Sequence, residues 1–129
     1  ELSDFKGKWI MLQIDRAACD TACQKKLYDM RQLRTAQGKE RERIERVWLI
    51  TDDETPDVKL QEGIAGTHLL RVNQATLDKW LPVEAGTTVY DHIYLIDPLG
   101  NLMMRYPKDA DPNKIKKDIS KLLKASAIG

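Results

Sequence analysis

The stretch Trp9-Ile10-Met11-Leu12-Gln13-Ile14-Asp15, followed by Arg16-Ala17-Ala18-Cys19-Asp20-Thr21-Ala22-Cys23, decides how this sequence folds. Its first seven residues are mostly apolar and led in by Gly7, which predicts a short buried strand. Asp20 and Thr21 are helix-starting residues, because short polar side chains accept from the backbone N–H groups left free in a first turn. Beyond them Leu27, Met30 and Leu33 recur at threes, with Lys25, Lys26, Arg31 and Arg34 between. That pattern predicts a helix running to about Gln37-Gly38. The only two cysteines, Cys19 and Cys23, thus fall where a strand hands over to a helix.

Working outward, Val47-Trp48-Leu49-Ile50 lies in a second strand between Arg43 and Asp52, which closes in the polar loop Thr51–Pro56. A third short strand is expected at His68–Val72, and a short helix at Gln74–Leu81 with Asn73 as its cap. Gly86–Asp91 reads as loop. Ile93–Ile96 and Leu102–Tyr106, joined by the turn Asp97-Pro98-Leu99-Gly100-Asn101, read as a hairpin. Asp111-Pro112 opens a last helix with Ile115, Ile119, Leu122 and Leu123 as its apolar stripe. The order β-α-β-(β)-α-β-β-α is that of an α/β, thioredoxin-like fold: a central mixed sheet flanked by helices. With 129 residues the chain is expected to form one such domain over 1–129, large enough to bury a core without disulfide staples.

Composition narrows the function. Twenty-one Lys plus Arg against twenty Asp plus Glu give a net charge of +1, which argues against nucleic acid as a partner, since neutralising phosphates needs a basic excess. No apolar run approaches the roughly 20 residues that span a bilayer. The start at Glu1 is read as a processed or trimmed end, from which a signal peptide or anchor is removable. No phosphate-binding glycine loop, HExxH or Gly-x-Ser-x-Gly is present.

The cysteines carry the chemistry. With a helix starting near Asp20, Cys19 lies at its amino end and Cys23 about one turn in. Unpaired N–H groups and the helix dipole stabilise a thiolate there. Residues four apart on a helix have Cβ atoms roughly 5–6 Å apart, near bridging distance for a disulfide. The same thiolates suit a soft ion such as Cu(I) or Zn(II). Two reduced cysteines that merely pack are the alternative without chemistry.

Gly7-Lys8-Trp9 followed by Cys19-x-x-x-Cys23, Leu27 and Met30 resembles the opening of Sco/SenC-type proteins. Val47–Asp52 and Tyr94-Leu95-Ile96-Asp97-Pro98-Leu99-Gly100 resemble later segments of that family, so the likeness runs from about Gly7 to Leu123. The resemblance implies a thioredoxin-fold copper metallochaperone or thiol-redox factor in cytochrome c oxidase assembly. It implies copper held by Cys19, Cys23 and His92, with Asp91 orienting the imidazole, as the family's ligands are two cysteines and the histidine of an Asp-His pair. It implies a respiratory oxidase subunit or its assembly factors as partners, and a site on the periplasmic side of the inner membrane behind an N-terminal anchor. Asp20 and Gln24 stand where the family carries prolines, and His92 stands closer to Tyr94 than the family's histidine does. A metal-independent thiol–disulfide oxidoreductase is the alternative: Cys19, nearer the helix start and more exposed, attacks, Cys23 resolves, and thiol–disulfide partner proteins are the substrates. A non-catalytic interaction module is the third reading. His68, without a motif, is expected to be structural. Met103-Met104 are read as packing, because adjacent strand residues face opposite sides. Asp52, Asp53 and Glu54 are read as a solvated loop, Trp9 and Trp48 as core, Trp80 as an edge cover, and the Lys25–Arg34 face as solvent-facing.

Overall fold

The computed structural model describes residues 2–83 and 85–126. Five strands form one sheet: β1 (Trp9–Asp15), β2 (Ile44–Ile50), β3 (Thr67–Arg71), β4 (Ile93–Ile96) and β5 (Leu102–Arg105), in the order β3-β2-β1-β4-β5. β1, β2 and β3 run parallel to one another, whereas β4 is antiparallel to both β1 and β5. Four α-helices accompany them: α1 (Thr21–Thr35), α2 (Val58–Gly63), α3 (Gln74–Trp80) and α4 (Pro112–Ala125). The expected α/β thioredoxin-like architecture, a mixed sheet with helices about it, is the one observed.

The apolar runs of β1 and β2 follow from their central position. Parallel strands covered on both faces read as continuous hydrophobic segments rather than alternating ones, and all of β1 is buried. Alternate residues then sort into two cores. Trp9 and Met11 of β1, Ile44, Trp48 and Ile50 of β2, and Ile93 and Leu95 of β4 pack with Leu27, Met30 and Leu33 of α1 and Ile115, Ile119 and Leu123 of α4. Ile10, Leu12 and Ile14, Val47 and Leu49, and Tyr94 and Ile96 pack on the opposite face with Leu77 and Leu81. Cys19 and Cys23 belong to the first core, which fixes the face of the sheet on which they lie.

Helix ends follow their side chains. Asp20, Asp57, Asn73 and Asp111 each accept a backbone N–H of the first turn that follows them. Four elements depart from the sequence expectation. α1 stops at Thr35, and the polar stretch after it forms a 3-10 helix over Gly38–Arg43. The six-residue α2 was not expected; it buries no residue, so it has no apolar stripe to betray it. Val89–Asp91, expected as loop, is a 3-10 turn closed by a capping box between Thr88 and Asp91. β3 lies one residue earlier than expected, over Thr67–Arg71.

Candidate thiol site

The turn Arg16–Cys19 delivers the first cysteine to the helix. Its closing bond runs from Cys19 N to Arg16 O at 3.0 Å, and Asp52 Oδ1 holds Ala17 N at 3.3 Å. Cys19 adopts φ 46, in the left-handed region where a side chain is strained. That conformation reverses the chain so that α1 can begin two residues later. Asp20 Oδ1 accepts from Cys23 N at 2.9 Å, and Gln24 Nε2 donates to Cys19 O at 3.1 Å, which pin both ends of the CxxxC segment. The two sulfurs are bonded as a disulfide, with 5.1 Å between the Cα atoms. Cys23 is wholly enclosed and Cys19 is 4% exposed, so Cys19 is the more exposed of the two, as expected, although both are buried. Its chain neighbours Ala18 and Asp20 are exposed, which places Cys19 just beneath the surface.

Beneath the disulfide lies a polar group that sequence inspection passed over. Gln13 and Asp15, on the same face of β1 as Trp9 and Met11, are buried. Gln13 Nε2 reaches Asp15 Oδ2 at 2.8 Å, Cys23 O at 3.3 Å and Cys23 Sγ at 3.6 Å. Lys26, one turn into α1, pairs with Asp15 Oδ2 at 2.8 Å and also donates to Tyr90 O. Burial holds the Asp15 carboxyl above its ordinary range even though the Lys26 ammonium and the Gln13 amide draw it down. The signal was available: two polar residues at alternate positions of an otherwise apolar strand share one face, four residues before the first cysteine. Lys26 thus departs from the solvent-facing reading of the basic helix face. Beside it a cleft of about 80 Å³ is lined by Ala22, Lys25, Lys26, Tyr90, Asp91 and Tyr106.

His92 is placed elsewhere. It is completely buried, with Nδ1 2.7 Å from Tyr106 O and Nε2 2.9 Å from Thr87 Oγ1. Its ring stands edge-on to Tyr94 at 5.8 Å between centroids, and Tyr94 packs in the core opposite the disulfide. Asp91, expected to orient the imidazole, instead bonds Thr88 N at 2.9 Å. Among the described residues no three His, Cys, Asp or Glu side chains are grouped to hold a metal ion. The structure therefore brings Cys19 and Cys23 together, and in this disulfide-bonded state a copper ion would find neither free thiolates nor a free imidazole nitrogen.

The remaining expectations sort readily. His68 is exposed on β3 and lies 2.9 Å from Glu45 Oε2. Met104 packs against the first core while Met103 is exposed. Asp52 serves the site turn as well as its own loop, where it accepts from Glu54 N. Trp9 and Trp48 are core residues, and Trp80 is 43% exposed. Among the described residues no helix is long and apolar enough to cross a membrane.

A search by sequence among curated proteins finds no match. Solved structures share the fold. Arabidopsis thaliana ScoI with copper bound is 15% identical, with a TM-score of 0.73 over 96% of this chain and 89% of that one. Yeast Sco1 with copper bound is 17% identical, with a TM-score of 0.73 over 97% and 81%. The thioredoxin domain of a Bacteroides vulgatus thiol-disulfide oxidoreductase is 21% identical, with a TM-score of 0.65 over 95% and 84%. This is a thioredoxin-like protein with a CxxxC pair whose fold resembles both Sco copper proteins and thiol-disulfide oxidoreductases. The model of the transmembrane-like, thioredoxin-like, C-terminal domain family matches residues 9–126, and the chain belongs to that family.

Proposed function

We propose that this protein exchanges disulfides with partner proteins through Cys19 and Cys23, without a metal. The observation that carries this reading is the disulfide seated over the buried Gln13 and Asp15 and the half-buried Lys26, with His92 bonded on the other face. In the reduced protein the Cys19 thiolate, favoured by the start of α1, attacks a partner disulfide. A mixed disulfide forms and one partner sulfur leaves as thiolate. Cys23 then loses its proton toward Asp15 and attacks Cys19 Sγ. The Cys19–Cys23 bond closes, and the second partner sulfur leaves. The partner disulfide gains two electrons, the pair here loses two, and the two thiol protons finish on the partner's sulfurs. Asp15 suits the acceptor role because burial raises its proton affinity. Equilibration with glutathione buffers tests this. The pair should interconvert within the range of redox-active dithiols, above about −300 mV. An unreactive pair, or a potential well below that, would leave a structural disulfide.

A second reading treats Cu(I) as cargo on the reduced Cys19 and Cys23, and likeness to the copper-bound Sco structures supports it. With His92 as third ligand it requires the imidazole to give up Thr87 or Tyr106. In a competition with a Cu(I) chelator, this reading expects the reduced protein to retain the ion and His92→Ala to lose it. The partner, in either reading, is a protein of respiratory oxidase assembly on the periplasmic side of the inner membrane, as the Sco/SenC resemblance suggests. Co-purification of that oxidase's subunits with Cys23→Ser, which traps mixed disulfides, tests the partner directly.

A further inference from the structure

Gln13 stands at the middle of the sheet, opposite Trp48 on β2 and Ile93 on β4, and no part of it is exposed. Its amide nitrogen lies among three acceptors: Asp15 Oδ2 at 2.8 Å, Cys23 O at 3.3 Å and Cys23 Sγ at 3.6 Å. These acceptors fix which end of the amide faces Cys23, because turning the group over would set Oε1 against a carboxylate and a carbonyl. The other end is left unsatisfied. Oε1 is enclosed without a donor, which costs about 1–3 kcal/mol that an apolar side chain of the same length would not carry. A core residue that breaks a local rule in this way is expected where a site needs the group. A disulfide sulfur is a weak acceptor for the N–H aimed at it. A sulfur that carries negative charge is a strong one.

We infer that Gln13 is a positioning residue for Cys23: its amide N–H donates to the Cys23 sulfur while that sulfur carries charge, whichever way the disulfide is exchanged. The inference rests on the thiol-exchange reading above. When the bond closes, the Cys23 proton passes to Asp15, Cys23 Sγ bonds Cys19 Sγ, and the partner sulfur leaves with the electron pair of the broken bond. When it opens, an attacking thiolate bonds Cys19 Sγ and Cys23 leaves with the pair. Cys23 is wholly enclosed, so water does not solvate the charge in either direction. The backbone N–H of Cys23 is already committed to Asp20 Oδ1. Gln13 therefore acts on the barrier, where charge sits on Cys23, and not on the closed disulfide or the protonated thiol.

Opening of the disulfide in the oxidised full chain by glutathione, and closure of the glutathione mixed disulfide, are each timed by acid quench. Gln13→Met keeps the length of the side chain and loses the donor. It should slow opening and closure equally, each by about tenfold or more, as one lost hydrogen bond to a charged group does, and leave the equilibrium between them unchanged. Attack of reduced Cys19 on glutathione disulfide should keep its wild-type rate. Opening and closure at wild-type rates in Gln13→Met overturn the proposal. So does an equilibrium that shifts as far as the rates, which marks a packing role only. Gln13→Leu serves the same comparison should Gln13→Met not fold. If glutathione leaves the wild-type disulfide closed, the exchange reading falls; opening by dithiothreitol, slowed about tenfold in Gln13→Met, still upholds the role of Gln13, and an unchanged rate overturns it.

Discussion

The two faces of the sheet handle their polar residues in opposite ways. On the disulfide face, Gln13 and Asp15 are buried under the Cys19–Cys23 bond, and Lys26 is drawn in from the helix to meet them. On the other face, His92 is bonded through both ring nitrogens to a backbone carbonyl and a threonine, an arrangement in which the imidazole holds the start of β4 to the residue following β5. The first group retains excess proton affinity, and the second is fully satisfied. Chemistry is expected where a titratable group is perturbed and adjacent to a reactive atom, not merely where a histidine is buried.

The strongest way to break this comparison is at the sulfurs. Cys23→Ser should abolish release of the oxidised product and stop exchange at the mixed disulfide, which non-reducing electrophoresis reads as a trapped adduct; release at the wild-type rate would remove Cys23 from the mechanism. Next is His92→Ala, expected to lower stability by about 2–3 kcal/mol in denaturant unfolding, because it leaves Tyr106 O and Thr87 Oγ1 without this partner. The same variant should leave the glutathione equilibrium of Cys19–Cys23 unchanged; a shift in that equilibrium would tie the two faces together.

Asp15 gives a smaller, pH-dependent effect. Its folded-state carboxyl is raised above the ordinary value of 3.8, so the native chain binds this proton more tightly than the unfolded one. Stability from this group is therefore present below 3.8 and lost as pH rises through the folded-state value, at up to about 1.4 kcal/mol per pH unit. Asp15→Asn should flatten that part of the stability profile and slow closure of the disulfide; an unaltered profile would show that Lys26 and Gln13 fully offset the burial. The smallest effect is expected at Tyr94, whose hydroxyl donates to Pro82 O at 3.0 Å and whose burial pushes its ionisation up to about 12. Tyr94→Phe should cost about 1 kcal/mol and remove one late-ionising phenol from an alkaline absorbance titration.

The strands, three of the four α-helices and the placement of the cysteines were legible because each has a local cause. Continuous apolar residues mark β1 and β2, Asp20, Asn73 and Asp111 are caps, and Ile115, Ile119 and Leu123 repeat with the helical period. α2 was not legible, since a single turn and a half without buried residues carries no such pattern. The site was half legible. Cys19 and Cys23 follow from spacing and a helix start, whereas Lys26 looks like any lysine on a basic face until α1 is laid against β1.

The sequence by itself determined that two thiols stand one turn apart at a helix start, because both caps and spacing are short-range facts. Only the tertiary structure decided which polar groups meet them. The ring of His92 stands against Tyr94 on the opposite face, and Asp15 comes under the disulfide through the alternation of β1. A shift of one residue along a strand exchanges its faces, and no local pattern around an isolated histidine records which face it takes.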